Sequence, residues 1–306
     1  MKQIWSIIIG CLLIAACGQS YEEAKQLTRQ QQRETVRKDS AALKVAVLPT
    51  LDCLPLYVAQ YYELYDTLHG GVRLKHYMAQ LDCDTALERG SVEGAVTDLV
   101  RAMRMSRQGT KMRYVAATNA YWQLVTNRNA RIRQLKQLDG KMVAMTRYSV
   151  TDMLADRAID SAKLDGDHVF KVQVNDLQVR MQMLQNNIMD ALCLTEPYAS
   201  AARVMKHPVV LDTRALGWQM GVIAFRDAEM NRQGRSQQLQ LFVKAYNQAC
   251  DSINKNGVMR YRDLLEQHCK LKKELLDSLP ANLKFAHASE PRQQDMDVAE
   301  KWLGEK

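Results

Sequence analysis

Apolar runs and polar gaps alternate along most of the chain at the pitch of a strand followed by a helix. Leu43-Lys-Val-Ala-Val-Leu48 predicts a strand and Pro49-Thr50-Leu51-Asp52 a turn. Pro55 then suits the first turn of a helix, in which Tyr57, Val58, Tyr61, Tyr62 and Leu64 recur at helical spacing. Val72–Tyr77 predicts a second strand, Thr85–Glu88 a short helix stopped near Gly90, and Gly94–Thr97 a buried strand ending at Asp98. Val100–Arg107 predicts a helix and Tyr114–Thr118 a fourth strand. The rhythm then repeats, with strands at Trp122–Asn127, Lys141–Met145, Val169–Val174, Asp190–Leu194, Val209–Leu211 and Met220–Phe225. Between them lie helices at Ile132–Leu138, from Thr151 to about Lys163, and at Asp176–Asn186. From Ser236 onward the pattern is helical, punctuated by Pro280 and Pro291. Strand–helix alternation predicts mainly parallel sheets with crossover helices. Two runs of it predict an α/β protein of two lobes, joined by segments near Thr118–Trp122 and Asp212–Trp218.

The N-terminus follows a different rule. Lys2 precedes an apolar run, Ile4–Ala16, broken only by Ser6 and Gly10. The run is shorter than the ~20 residues needed to span a bilayer, and it has the length of a secretion-signal core. It ends Ile14-Ala15-Ala16-Cys17-Gly18, small residues before a cysteine, which resembles a bacterial lipobox. The expectation is a signal at 1–16, a lipid on Cys17 and a polar tether over 17–41. Two or more acyl chains hold a protein firmly on a bilayer. Gly18 rather than Asp after the cysteine leans towards the outer membrane over the outer leaflet of the inner one.

Composition adds limits. At 47% apolar the chain can build real cores, and its formal charge of +8 is spread along it. No basic stripe with interleaved aromatics suggests nucleic acid. Without the signal and Cys17, five cysteines remain, an odd number in a compartment where disulfides form. Cys53 and Cys83, each in a Leu-Asp-Cys triplet after a strand, are one candidate pair, and Cys250 with Cys269 a weaker one. Cys193, in an apolar strand, reads as an inert core thiol. With no CxxC and scattered histidines, neither a metal nor a cofactor is expected.

Four segments together carry a resemblance. Leu48-Pro-Thr-Leu-Asp52 with Pro55-Leu-Tyr-Val-Ala59 is similar to the opening of the SsuA/THI5-like group of type 2 periplasmic solute-binding proteins. Leu87–Asp98, Gln137–Ala144 and Leu184–Tyr198, the last with Asp190-Ala-Leu and Glu196-Pro-Tyr198, match later segments of that group in order. The resemblance covers about Ala42–Asp227. It implies two α/β lobes closing on a small molecule, with an ABC permease as partner and the domain monomeric. The solutes it implies are thiamine-precursor pyrimidines, sulfonates or nitrate-like ions. The lobes are expected at 42–119 with 213–306, and at 120–212. Fungal pyrimidine synthases share the fold, so an enzyme is the alternative. This chain lacks their cysteine-rich run and has Gln60 where relatives commonly carry Lys. No GxSxG, HExxH or P-loop is present. An importer-independent sensor is a third reading.

Ligands of open parallel sheets bind beyond the carboxyl ends of the strands, on the loops there. That gives a candidate ligand-binding set of Thr50, Asp52, Asp98, Asn119, Tyr121, Thr146, Arg147, Tyr148, Ser149, Thr151, Glu196 and Trp218. The Thr146–Thr151 loop opens a helix, whose free N–H groups favour an anion, although Ser149 or Thr151 equally reads as its N-cap. Asp98 is either an acceptor for a ligand amine or a helix cap, and Asp52 a ligand contact or a turn residue. Glu196 is divided between ligand binding and holding the crossing strands. Tyr121, Trp122, Tyr148 and Trp218 offer rings for stacking, and Arg147 a bidentate partner for an acid.

Overall fold

The structure, a computed structural model, describes residues 25–34, 41–65, 71–280 and 283–306. The expected signal, Cys17 and much of the tether lie outside the described residues. Residues 25–34 form an exposed helix. No helix among the described residues is long and apolar enough to cross a membrane.

Among the described residues, ten strands form two five-stranded sheets. The first has the order β2-β1-β3-β10-β4 and the second β7-β6-β8-β5-β9. In the first, β1 (Leu43–Val47) runs parallel to β2 (Val72–His76) and β3 (Gly94–Asp98). Strand β10 (Gly221–Arg226) lies antiparallel between β3 and β4 (Met112–Ala117). In the second, β6 (Met142–Met145) is parallel to β7 (Phe170–Gln173) and β8 (Ala191–Thr195). Strand β5 (Trp122–Thr126) is antiparallel to β8 and β9 (Val209–Asp212). The antiparallel strands are the ones by which the chain changes sheets: after β4 it enters the second sheet as β5, and after β9 it returns as β10. The result is the two-lobed α/β fold that the alternation implies, with mixed sheets in which β5 and β10 run against their neighbours.

The central strands β3 and β8 are buried along their whole length, as their unbroken apolar and small residues require. Two glycines let backbones approach. A Cβ on Gly94 would meet the Phe225 ring, and one on Gly221 would meet Thr118 Oγ1 and Ala120. The tail is less continuous than its pattern suggests. Helix Arg235–Asn256 stops at Gly257, whose φ is 79°. Helix Arg262–Cys269 stops at Lys270, with φ 54°. Residues 283–292 are irregular, and helix Gln293–Gly304 closes the chain. The helix expected over Ile132–Leu138 is instead two 3-10 turns, Arg128–Ala130 and Leu135–Leu138, parted by Arg131 at φ 57°. A helix at Tyr198–Val204 was masked in the sequence by Pro197, which precedes its first turn.

All five described cysteines are free and buried, so neither Cys53–Cys83 nor Cys250–Cys269 is bonded. Burial pushes the Cys193 and Cys250 thiols up to about 12 and those of Cys53, Cys83 and Cys269 up as well. Neutral core thiols are poor partners for exchange, which proceeds through the thiolate.

Candidate functional site

Strand ends from both sheets meet at one cavity. Leu48 after β1, Asp98 at the end of β3, Thr146 after β6 and Thr195 at the end of β8 all line it. It encloses about 560 Å³ of unfilled space, its open mouth included. The first lobe adds Thr50, Asp52, Gln80 and Thr97, and the second Ser149, Thr151, Asn175 and Arg180. Met78, Val96, Leu177 and Trp122 give the cavity its apolar wall. The lobes touch above it, where Gln80 N donates to Asn175 O at 3.5 Å and Ala79 pairs with Asp176 as an antiparallel bridge. Beside the crossing strands, Leu51 N donates to Glu196 O at 2.9 Å.

Asp98 lies at the junction of two helices. Its Oδ1 accepts from Arg101 N at 3.0 Å, capping Leu99–Arg107, and from Val150 N at 3.2 Å, at the start of Val150–Ala162 in the other lobe. Burial pushes this carboxyl up to about 7 against the pull of those amides. The first amides of helix Val150–Ala162 are therefore already engaged. Val150 N is taken by Asp98. Thr146 N donates to Thr151 Oγ1 at 2.9 Å, Tyr148 N to Asp152 Oδ2 at 2.9 Å, and Thr151 N to Ser149 Oγ at 3.0 Å. Ser149 is the N-cap, and its hydroxyl also donates to Thr146 O at 2.7 Å. Ser149 and Thr151 thus both order the loop and line the cavity.

Two buried charges remain. Asp52 accepts a hydrogen bond from Thr118 Oγ1 at 3.1 Å, and burial raises its carboxyl above the usual range. Arg180, 1% exposed, donates Nε to Val174 O at 2.8 Å, Nη1 to Cys193 O at 2.6 Å and Nη2 to Thr146 Oγ1 at 2.7 Å. Burial lowers it to about 10, which leaves it charged at neutral pH. A second buried cation, Arg101, outside the cavity lining, is paired with Asp84 and donates to Arg147 O at 3.4 Å, while its Nε lacks an acceptor.

Six of the expected residues lie elsewhere. Glu196 accepts from Tyr121 OH, from Ser200 N at 2.9 Å and from Arg203 Nη2 at 2.6 Å, so Glu196 and Tyr121 tie the crossing strands and do not line this cavity. Asn119 Nδ2 bonds Lys284 O at 3.0 Å. Arg147 is exposed, and Tyr148, 39% exposed, stacks under the Arg104 guanidinium at 4.4 Å. Trp218 lines a separate groove beside Trp302 and Met153. Each was expected at the cavity because it stands near a strand end or a crossing. Strands β4 and β9 are the edge strands of their sheets, and Arg147 and Tyr148, just past the inward-facing Thr146, turn to solvent. Trp122, pairing with Thr195 at the start of β5, lines the cavity. Gln80, Asn175 and Arg180 also line the cavity and carry no sequence signal of their own. They sit on the rims and on a helix, and the only signal was the β2 and β7 strand ends that precede them.

A family model described as NMT1/THI5 like matches residues 50–257. Among solved structures, the alkanesulfonate-binding protein SsuA from Xanthomonas axonopodis pv. citri, bound to MOPS, superposes with a TM-score of 0.73 at 15% identity, over 86% of this chain and 91% of that one. The periplasmic aliphatic sulphonate binding protein SsuA from Escherichia coli gives 0.69 at 17% identity, over 86% and 85%. The periplasmic nitrate-binding protein NrtA from Synechocystis PCC 6803 gives 0.68 at 14% identity, over 84% and 74%. No curated protein matches the chain in sequence.

Proposed function

The chain belongs to the NMT1/THI5-like family, and from that premise we propose that it is an extracytoplasmic solute-binding protein that hands a small polar molecule to an ABC importer. The observation that carries this is the cavity between the lobes, walled by strand ends of both sheets and closed over by the Gln80–Asn175 contact. Such a cavity takes up a solute when the lobes part and holds it when they meet, because the closed form alone offers both walls. Pyrimidines, sulfonates and nitrate-like ions are the candidate classes, and solved structures of similar fold carry sulfonate- and nitrate-binding names.

Binding rather than catalysis suits the site. No histidine or cysteine lines the cavity. The Ser149 hydroxyl is engaged with Thr146 O and Thr151 Oγ1 and has no general base beside it. Lobe boundaries at 119/120 and 212/213, a monomer, and a lipid on Cys17 facing the periplasm complete the reading. The lipid rests on Ile14-Ala-Ala-Cys17.

Thermal-shift and calorimetric titration of the detergent-extracted chain with sulfonates, pyrimidines, nitrate and amino acids tests the function. At least one class is expected to raise Tm and bind stoichiometrically; no response to any would overturn the reading. In the same preparations, Cys17→Ser should abolish incorporation of a palmitate analogue and release the chain from membranes. Retention of label would place the lipid elsewhere.

A further inference from the structure

A second recess lies apart from the cavity, where the last helix meets the second lobe. This groove encloses about 750 Å³, its open mouth included. Arg157 and Asp160, one turn apart on helix Val150–Ala162, line one side. Lys301 and Trp302 on helix Gln293–Gly304, with Glu305 just past its end, line another. Trp218, on the segment between β9 and β10, adds a second indole.

The two tryptophans differ. Trp302 is 9% exposed, its Nε1 donates to Asp156 Oδ2 at 3.0 Å, and Lys306 Nζ stands 5.3 Å from its ring centroid, so its ring is fixed as wall. Trp218 is half-buried, and its indole N–H has no acceptor among the described residues. The charges differ from their neighbours too. Asp156 is saturated by Lys171 and Lys306. Arg157, Asp160, Lys301 and Glu305 are all exposed, and none forms an ion pair or a side-chain hydrogen bond among the described residues.

We infer that this groove binds a glycan, with one or two pyranose units of a saccharide chain lying against Trp218 and their hydroxyls held by the four charged side chains.

The ligand class follows from the balance of the lining. Two cations and two carboxylates give no net charge, so a single ion attracted by one pair is repelled by the other. An apolar partner would cover four charges and supply no partner for any of them. A sugar suits both kinds of group at once. Each hydroxyl donates and accepts, so neighbouring hydroxyls can give two hydrogen bonds to a carboxylate and take two from a guanidinium. The C–H bonds on one face of a pyranose carry slight positive charge and pack on the negative face of an indole. Enclosed pockets bury most of a small ligand, whereas the open mouth here leaves room for a chain to continue past the bound units. The groove shares no lining residue with the cavity, so it takes its ligand whether or not the cavity holds a solute.

The test titrates the full-length chain, in a detergent without a sugar headgroup, with maltohexaose, cellohexaose, chitohexaose, soluble peptidoglycan fragments and the matching monosaccharides. Calorimetry and tryptophan fluorescence are the readouts. At least one chain is expected to bind saturably, and about tenfold or more tighter than its monosaccharide. Trp122→Phe, which removes the cavity's own tryptophan, should keep the fluorescence change. Trp218→Ala, checked for native circular dichroism, should weaken binding about tenfold or more. Arg157→Gln and Asp160→Asn alter exposed side chains, and each should weaken it about threefold to tenfold. If no saccharide binds, or if binding is unchanged in Trp218→Ala and in both charge variants, the glycan assignment falls. Loss of the fluorescence change in Trp122→Phe would place the sugar in the cavity and overturn it as well. A monosaccharide that binds as tightly as its chain would contradict a chain ligand.

Discussion

Asp98, Asp52 and Thr146 were legible as candidates for the cavity wall because each is a polar residue at or just after the end of a strand, where a helix or turn must begin. Chain chemistry alone brings such side chains to the carboxyl edge of a sheet. Arg180 was not legible, since an arginine in mid-helix normally reaches solvent, and only the packing of helix Leu177–Gln185 against β8 buries it. Glu196 shows the opposite failure: a polar strand end consumed by Tyr121 and Arg203. The histidines illustrate a residue-scale effect that spacing cannot reveal. His268 stacks on Tyr57 at 3.9 Å and on His76 at 4.9 Å. Burial, with the nearby His76 and Lys270, lowers it to about 4, and burial lowers His76 too. Folded His268 is therefore neutral where the unfolded chain, titrating near 6.5, already holds a proton. Its contribution to stability is complete above about pH 6.5 and is lost as pH falls towards 4. His268→Phe keeps the ring on Tyr57 and removes the titration. Its fall in Tm between pH 7 and 4.5 should be smaller than that of wild type by about 1–3 °C, a size kept modest by partial exposure. Parallel curves for the two proteins would refute this.

At the scale of elements, alternation predicted sheets and crossover helices, and the boundaries missed by one or two residues at most strands. It did not show that β5 and β10 run against their neighbours, because an isolated strand has no direction in its pattern. Those two strands determine how the cavity is framed. Gly221 opens β10 opposite Asp98 and packs on Thr118 and Ala120, the segment that carries the chain into β5. Gly221→Ala would drive a methyl into the Thr118 hydroxyl, which is the donor to Asp52. Such overpacking costs about 1–3 kcal/mol. Denaturant unfolding should report that loss, and titration should show weaker solute binding from a site more than one residue away. Unchanged stability would mean that the crossing segment yields freely.

At the scale of the whole molecule, capture of a solute requires the lobes to close. The last helix spans the gap at the back: Gln293–Gly304 packs on Leu99–Arg107 of the first lobe, while Trp302 Nε1 donates to Asp156 of the second at 3.0 Å. Leu51 N to Glu196 O lies beside the crossing strands, so it persists if the lobes hinge there. Gln80 N to Asn175 O and Val150 N to Asp98 Oδ1 lie across the cleft and must break when it opens. Amide hydrogen exchange at these three positions separates hinge from cleft. With a bound solute, the account predicts slowed exchange at Gln80 and Val150 and no change at Leu51, which is protected throughout. Equal protection at all three amides with and without solute would mean lobes that never part, and would contradict capture by closure.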